Sequence, residues 1–146
     1  MSSDTRRVAY LLGGAGLLPF AVLALATMFA HGDLKRQAAA ALAAYGASIV
    51  SFLGAAQWGF AIRTEGARGP GLLLCMGVLP SLVAWAALLL PTGVGLLTLG
   101  VAALAVLFLD AWSVRRGFAP PWWFPLRLVL SVAAGALLLL GGLFAA

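Results

Sequence analysis

From Gly69 to Leu109 the chain runs 41 residues without a charged side chain. As one helix that stretch would be about 60 Å long, twice the roughly 30 Å hydrocarbon core of a bilayer. It must fold back on itself, and Pro91-Thr92-Gly93 is the one segment within it that has the chemistry of a turn. The run therefore divides into spans of about 71–90 and 94–112. Elsewhere the charges cluster, leaving apolar stretches at about 8–30, 38–62 and 126–144. The sequence predicts an all-α membrane protein: one transmembrane domain over residues 1–146, built as a five-transmembrane-helix bundle.

Composition removes the alternatives. Of the 146 residues, 64% are hydrophobic and 9% charged, whereas a soluble domain carries about a quarter charged residues. Disorder requires the reverse balance, low hydrophobicity with high charge. A membrane β-barrel would alternate apolar and polar residues, and runs such as Leu88–Leu90 and Leu137–Leu140 do not. Arg6 and Arg7 ahead of an apolar run, with Ala24-Leu25-Ala26, imitate a signal peptide. The apolar run continues through Phe29 and is long enough to span, so the segment reads as a retained anchor.

Arginine and lysine near span ends set orientation. With the N-terminus inside, the inner side holds Arg6, Arg7, Arg63, Arg68, Arg115, Arg116 and Arg127, and the outer side only Lys35 and Arg36. This predicts N-terminus inside and C-terminus outside. The net charge of +5 is then a topology signal with attraction for anionic inner-leaflet lipids, not a nucleic-acid footprint.

Helix 2 carries Ala39, Ala43, Ala47, Ser51, Ala55 and Gly59 at four-residue spacing, a small-residue stripe of the kind that lets helices approach closely in lipid. Gln57 falls on roughly the opposite face, with Gly46 and Gly54. Small or polar residues on two faces place helix 2 inside the bundle. Gly13 and Gly16 on helix 1, and Ser131 and Gly135 on helix 5, read as its neighbours' contact points. Pro19 and Pro80 mark midspan kinks, or else line a cavity.

The predicted topology gathers Gln57, Trp58, Arg63, Asp110, Trp122, Trp123 and Arg127 in one inner-face layer, with Trp112, Arg115 and Arg116. Asp110 in or near lipid carries a desolvation cost unless paired. The expected partner is Arg63 or Arg127 from a neighbouring helix ahead of Arg115 or Arg116, the alternative being a carboxylate solvated by headgroup water at the interface. Gln57 reads as interhelical glue or as a ligand-reading amide. The tryptophans fit an interfacial belt. The three prolines of Ala119–Pro125 make a stiff lid ahead of helix 5. Trp85 reads as packing, and Cys75 as an inert buried thiol. One histidine, one cysteine and four carboxylates point to no metal, no cofactor and no catalytic residue, so the chain is expected not to be an enzyme.

The stretch Ala44-Tyr45-Gly46-Ala47-Ser48-Ile49-Val50-Ser51-Phe52-Leu53-Gly54, followed by Gln57-Trp58-Gly59, resembles a family of small bacterial membrane proteins catalogued only as a domain of unknown function. That family includes the mitochondrial transmembrane protein 69. Leu79–Trp85 and the region from Asp110 through Arg116-Gly117 to Pro121-Trp122 are similar as well. Many members carry histidine where this chain has Gln57, a departure that weakens a proton or metal role here. The resemblance implies a multi-pass protein of the bacterial inner (plasma) membrane and assigns no activity. Two functional expectations follow. The first is a non-enzymatic accessory, assembly or helix-packing subunit whose partners are membrane lipids and other membrane subunits or copies of itself. The second is a small-molecule or ion binder or transporter, with an inner-face pocket between helices 2, 4 and 5 closed by residues 122–125.

Overall fold

The computed structural model describes residues 3–64 and 70–145. They form five helices: α1 (Ser3–Phe29), α2 (Gly32–Arg63), α3 (Pro70–Leu88), α4 (Thr92–Arg115) and α5 (Trp123–Ala145). Each is long and apolar enough to cross a bilayer. Every expected span is present, with shifted ends. The reversal inside the long uncharged run begins earlier than Pro91. Leu89 and Leu90 donate their N–H groups to Ala86 and Ala87, tightening the end of α3, and Thr92 and Gly93 are already helical. Proline explains the shift, since Pro91 has no N–H for the α3 ladder but costs nothing just ahead of α4. Its carbonyl accepts from Gly95 at 2.9 Å.

The same rule corrects the expected lid. Residues 123–125 are the first turn of α5, not a separate strap. Pro125 is tolerated there because first-turn N–H groups have no intrahelical acceptor. Arg68 and Gly69 lie outside the described residues.

Helix α2 is the centre of the bundle and packs against each of the other four. Half of its most apolar window is buried, against 11% for α1, which lies at the periphery. Its small-residue stripe does not stay inside, however. Ala39, Ala43 and Ala47 are buried, Ser51 is half-buried, and Ala55 and Gly59 are exposed. Four residues turn a helix through about 400°, so an i,i+4 row drifts about 40° per step around the axis. The face that remains inside carries Gly46, Val50, Leu53, Gly54, Gln57 and Ala61.

Glycine admits neighbouring helices at defined points on that face. A Cβ on Gly46 would meet Leu138 of α5 at 2.7 Å, and one on Gly54 would run into the Gly77 carbonyl and the Pro80 ring of α3. The expected contact points divide among several partners. Gly16 accepts a hydrogen bond from the Tyr45 hydroxyl of α2 (2.9 Å). Gly13 faces Leu130 of α5, and Gly135 faces Leu104 and the Gly100 carbonyl of α4. Phe20, Leu42, Val50, Leu96, Leu99 and Leu138 fill the apolar core around these crossings. Two expectations fail. Trp85 is 64% exposed and Cys75 is exposed rather than buried, because both lie on the outer side of α3, where the solvent is lipid.

Gly54 and Gly59 provide an internal comparison, since nothing lies within 4 Å of a Cβ built on Gly59. Gly54→Leu should lose about 1–3 kcal/mol through overpacking and lower the thermal midpoint in detergent. Gly59→Leu should leave that midpoint near the parent value. Equal midpoints would contradict the α2–α3 crossing.

Candidate functional site: a buried polar cluster

Three local structures bring polar side chains to one point. The first is the end of α4. Gly117 has a φ of +75°, and its N–H bonds to the Val114 carbonyl while that of Phe118 bonds to Ser113. This pairing, with a left-handed glycine just past the helix, is a Schellman cap. Its customary apolar contact is Phe118 against Trp112, with ring centroids 5.7 Å apart. The cap ends α4 with Asp110 and Ser113, three residues apart, both facing inward and fully buried. The second is the start of α5, where Trp123 N–H bonds to Pro120 O. Trp123 and Arg127, four apart, share the face toward α4. The third is α2, which contributes Gln57 from its buried face.

Asp110 is the hub. Its Oδ2 accepts from Arg127 Nε at 2.8 Å, and its Oδ1 accepts from Gln57 Nε2 at 2.9 Å and from Trp123 Nε1 at 3.0 Å. Gln57 completes its amide by accepting from Ser113 Oγ at 2.6 Å. The Arg127 guanidinium also lies 5.5 Å from the centre of the Trp123 ring, which in turn meets Phe60 edge-on at 5.2 Å. Gln57, Asp110 and Ser113 have no exposed surface, and Arg127 is 4% exposed.

The expected layer is thus partly assembled. Gln57, Asp110, Trp123 and Arg127 meet directly. Of the arginines expected as partners for Asp110, the structure selects Arg127. Arg63 instead donates to the Phe118 carbonyl at 3.0 Å, tying the end of α2 to the turn after α4. Trp58 turns outward, 45% exposed, and its indole donates to Leu74 O of α3 at 3.1 Å. Trp122 touches the cluster only through an edge contact with Trp123, 6.0 Å between centroids. Ser113 escaped the sequence reading, although its spacing from Asp110 is that of a shared helix face. The amide, carboxylate and hydroxyl are closed in upon one another. A groove of about 620 Å³ lies elsewhere, between α3 and α4, lined by apolar residues such as Met76, Leu79, Val83 and Val101.

Chemically the arrangement holds a charge out of water. A carboxylate in a low-dielectric interior persists only when paired and hydrogen-bonded, and Asp110 has one cation and two neutral donors. With its lone pairs so engaged it is held as an acceptor rather than presented to a substrate. Gln57 suits its place because an amide donates to the carboxylate and accepts from a hydroxyl at once.

Removing one member should therefore cost more than removing the pair. Arg127→Met leaves Asp110 unpaired and should destabilise by about 3–5 kcal/mol, whereas adding Asp110→Leu to it should restore much of the loss. Thermal unfolding in detergent reads both. Gln57→Leu orphans the Ser113 hydroxyl and takes a donor from Asp110, with an expected loss of about 1–3 kcal/mol. Gln57→His keeps one donor and one acceptor nitrogen and should unfold closer to the parent than Gln57→Leu does.

Comparison with known proteins places this bundle. Transmembrane protein 69 of Xenopus tropicalis is 37% identical over 137 residues, covering 90% of this chain and 52% of that protein. The chain thus spans about half the length of that relative. No solved structure matches. Residues 5–143 match the family described as "Protein of unknown function (DUF3429)". With that match running through all five helices, the chain belongs to the DUF3429 family.

Proposed function

We propose that the protein is a non-enzymatic subunit that acts in the membrane through helix contacts, as an accessory or assembly component or with copies of itself. The observation that carries this reading is the fate of the α2 small-residue stripe. Its first half is consumed inside the bundle, and its second half emerges at Ala55 and Gly59 on the outer surface, with open space at Gly59. In lipid, helices associate by close van der Waals approach over small residues, and this surface is shaped for another transmembrane helix.

The enclosure of the polar cluster supports the same choice over a transporter, because the groups suited to read a ligand at the inner face bind each other instead. The bacterial inner membrane is the proposed location, with the N-terminus inside. Arg6, Arg7, Arg63, Arg115 and Arg116 are exposed at one end of the bundle. At the other end, Lys35 and Arg36 stand beside Asp33, which pairs with Arg36. The positive-inside rule puts the first end in the cytoplasm.

Two measurements test this. In a Cys75→Ser background, Ala55→Cys should cross-link to a partner or a second copy in native membranes. Gly59→Leu should abolish that product without moving the thermal midpoint. A lone monomer that captures nothing in native membranes would overturn the reading. For orientation, a cysteine at Arg115 should react with an impermeant maleimide only after intact cells are opened, and one at Lys35 before. The reverse pattern would place the arginine-rich end outside.

A further inference from the structure

The bonds of the Asp110 cluster leave two polar atoms over. Nη2 of Arg127 and Oγ of Ser131 are both shielded, and neither meets a hydrogen-bond partner in the bundle. Ser131 is 1% exposed and Arg127 4%. The two residues are four apart on α5, so they sit one above the other on the same buried face.

Four other hydroxyls in the bundle are satisfied within their own helices. Thr27, Ser48, Thr64 and Thr98 each donate to the carbonyl four residues earlier, on Leu23, Ala44, Phe60 and Val94. That fold-back is the ordinary way for a helical hydroxyl to be satisfied in an apolar setting. For Ser131 the corresponding carbonyl belongs to Arg127 itself, and the bond is not made. A buried hydroxyl and a buried guanidinium N–H, each without a partner, are costly in a low-dielectric interior.

We propose that Arg127 and Ser131 form a binding site for one internal water molecule, which accepts from Nη2 and bridges to Oγ. Three properties select water. Both atoms are enclosed, which restricts the ligand to one that fits without opening the bundle. The charge of Arg127 is already matched by Asp110 at 2.8 Å, so an anion would leave uncompensated charge in the interior. A buried water needs two to four polar partners, and the pair supplies two. The cluster then continues one turn deeper toward the membrane centre than its direct bonds reach. This inference is independent of the helix-contact reading.

The helix register identifies the reporters. Asp110 pairs with Arg127, and α4 and α5 run in opposite directions, so Val106 on α4 lies at the level of Ser131. The Gln57–Asp110 bond places Leu53 of α2 at that level too. Both are buried, at 5% and 6% exposure. Radiolytic hydroxyl-radical labelling of the full chain in lipid nanodiscs, read by mass spectrometry, reports side chains beside bound water. Leu53 should oxidise several-fold faster than Leu99 and Leu138, which have no exposed surface. Val106 also lines the groove between α3 and α4, so it is read only by the change that Ser131→Val makes. Ser131→Val should bring Leu53 down to that background and slow Val106. Oxidation of Leu53 at the Leu99 rate in the parent protein would overturn the site, and so would labelling of both unchanged in Ser131→Val. Should Ser131→Val fail to fold, the comparison within the parent protein decides alone.

Discussion

A carboxylate cannot persist in a low-dielectric interior without a counter-charge and donors for its lone pairs, and the arginine-rich half of this bundle is arranged around that requirement. Asp110 draws a guanidinium from α5, an amide from α2 and an indole from the first turn of α5. Helices α4 and α5, consecutive in sequence, and the distant α2 are thereby held at one height. Apolar packing alone would leave that height weakly defined, since in lipid there is no hydrophobic drive to favour one sliding register over another. A buried ion pair adds little net stability relative to an apolar replacement. What it supplies here is register, because displacement by a helical turn would separate Asp110 from Arg127.

The rest of the bundle is held differently. There, glycine replaces the polar hub, and backbones meet at Gly54 and Gly77, at Gly100 and Gly135, and separately at Gly95 and at Gly142. The two modes join on the buried face of α2, which runs from Gly46 through Gly54 to Gln57. The Schellman cap at Gly117 links them to the arginine-rich end, since it orients both the end of α4 and the Phe118 carbonyl that Arg63 holds. That end of the bundle is thus ordered by a cap, a proline-rich turn and a buried ion pair.

Much of the site was legible in the sequence because membrane burial makes charge conspicuous. Asp110 stood out as a lone carboxylate at the end of an apolar run, and the need for an arginine favoured Arg63 and Arg127 over Arg115 and Arg116. Choosing between Arg63 and Arg127 required knowing which way each helix faces. Arg63 lies one residue past the exposed Ile62 and Arg127 one past the buried Leu126, and periodicity in a helix apolar all round does not reveal the inward face. Trp58 misled for the same reason. It adjoins Gln57 in sequence but lies about 100° around the helix, toward α3. Ser113 was hidden by its ordinariness and Ser131 was read only as a packing contact, since a serine acquires meaning only from what stands opposite.

The sequence by itself determined that the chain forms five helices long and apolar enough to cross a membrane, turns near Pro91 and carries most of its arginines toward one end. Those are one-dimensional properties, set by the length of apolar runs against bilayer thickness and by the placement of charges between them. Tertiary structure decided the rest: that Arg127 takes Asp110, that residues 123–125 join α5 instead of forming a lid, and that the α2 stripe turns from core to surface along its length. These depend on rotation about helix axes and on relative depth, and in a medium as apolar as the side chains only contact with neighbouring helices sets them.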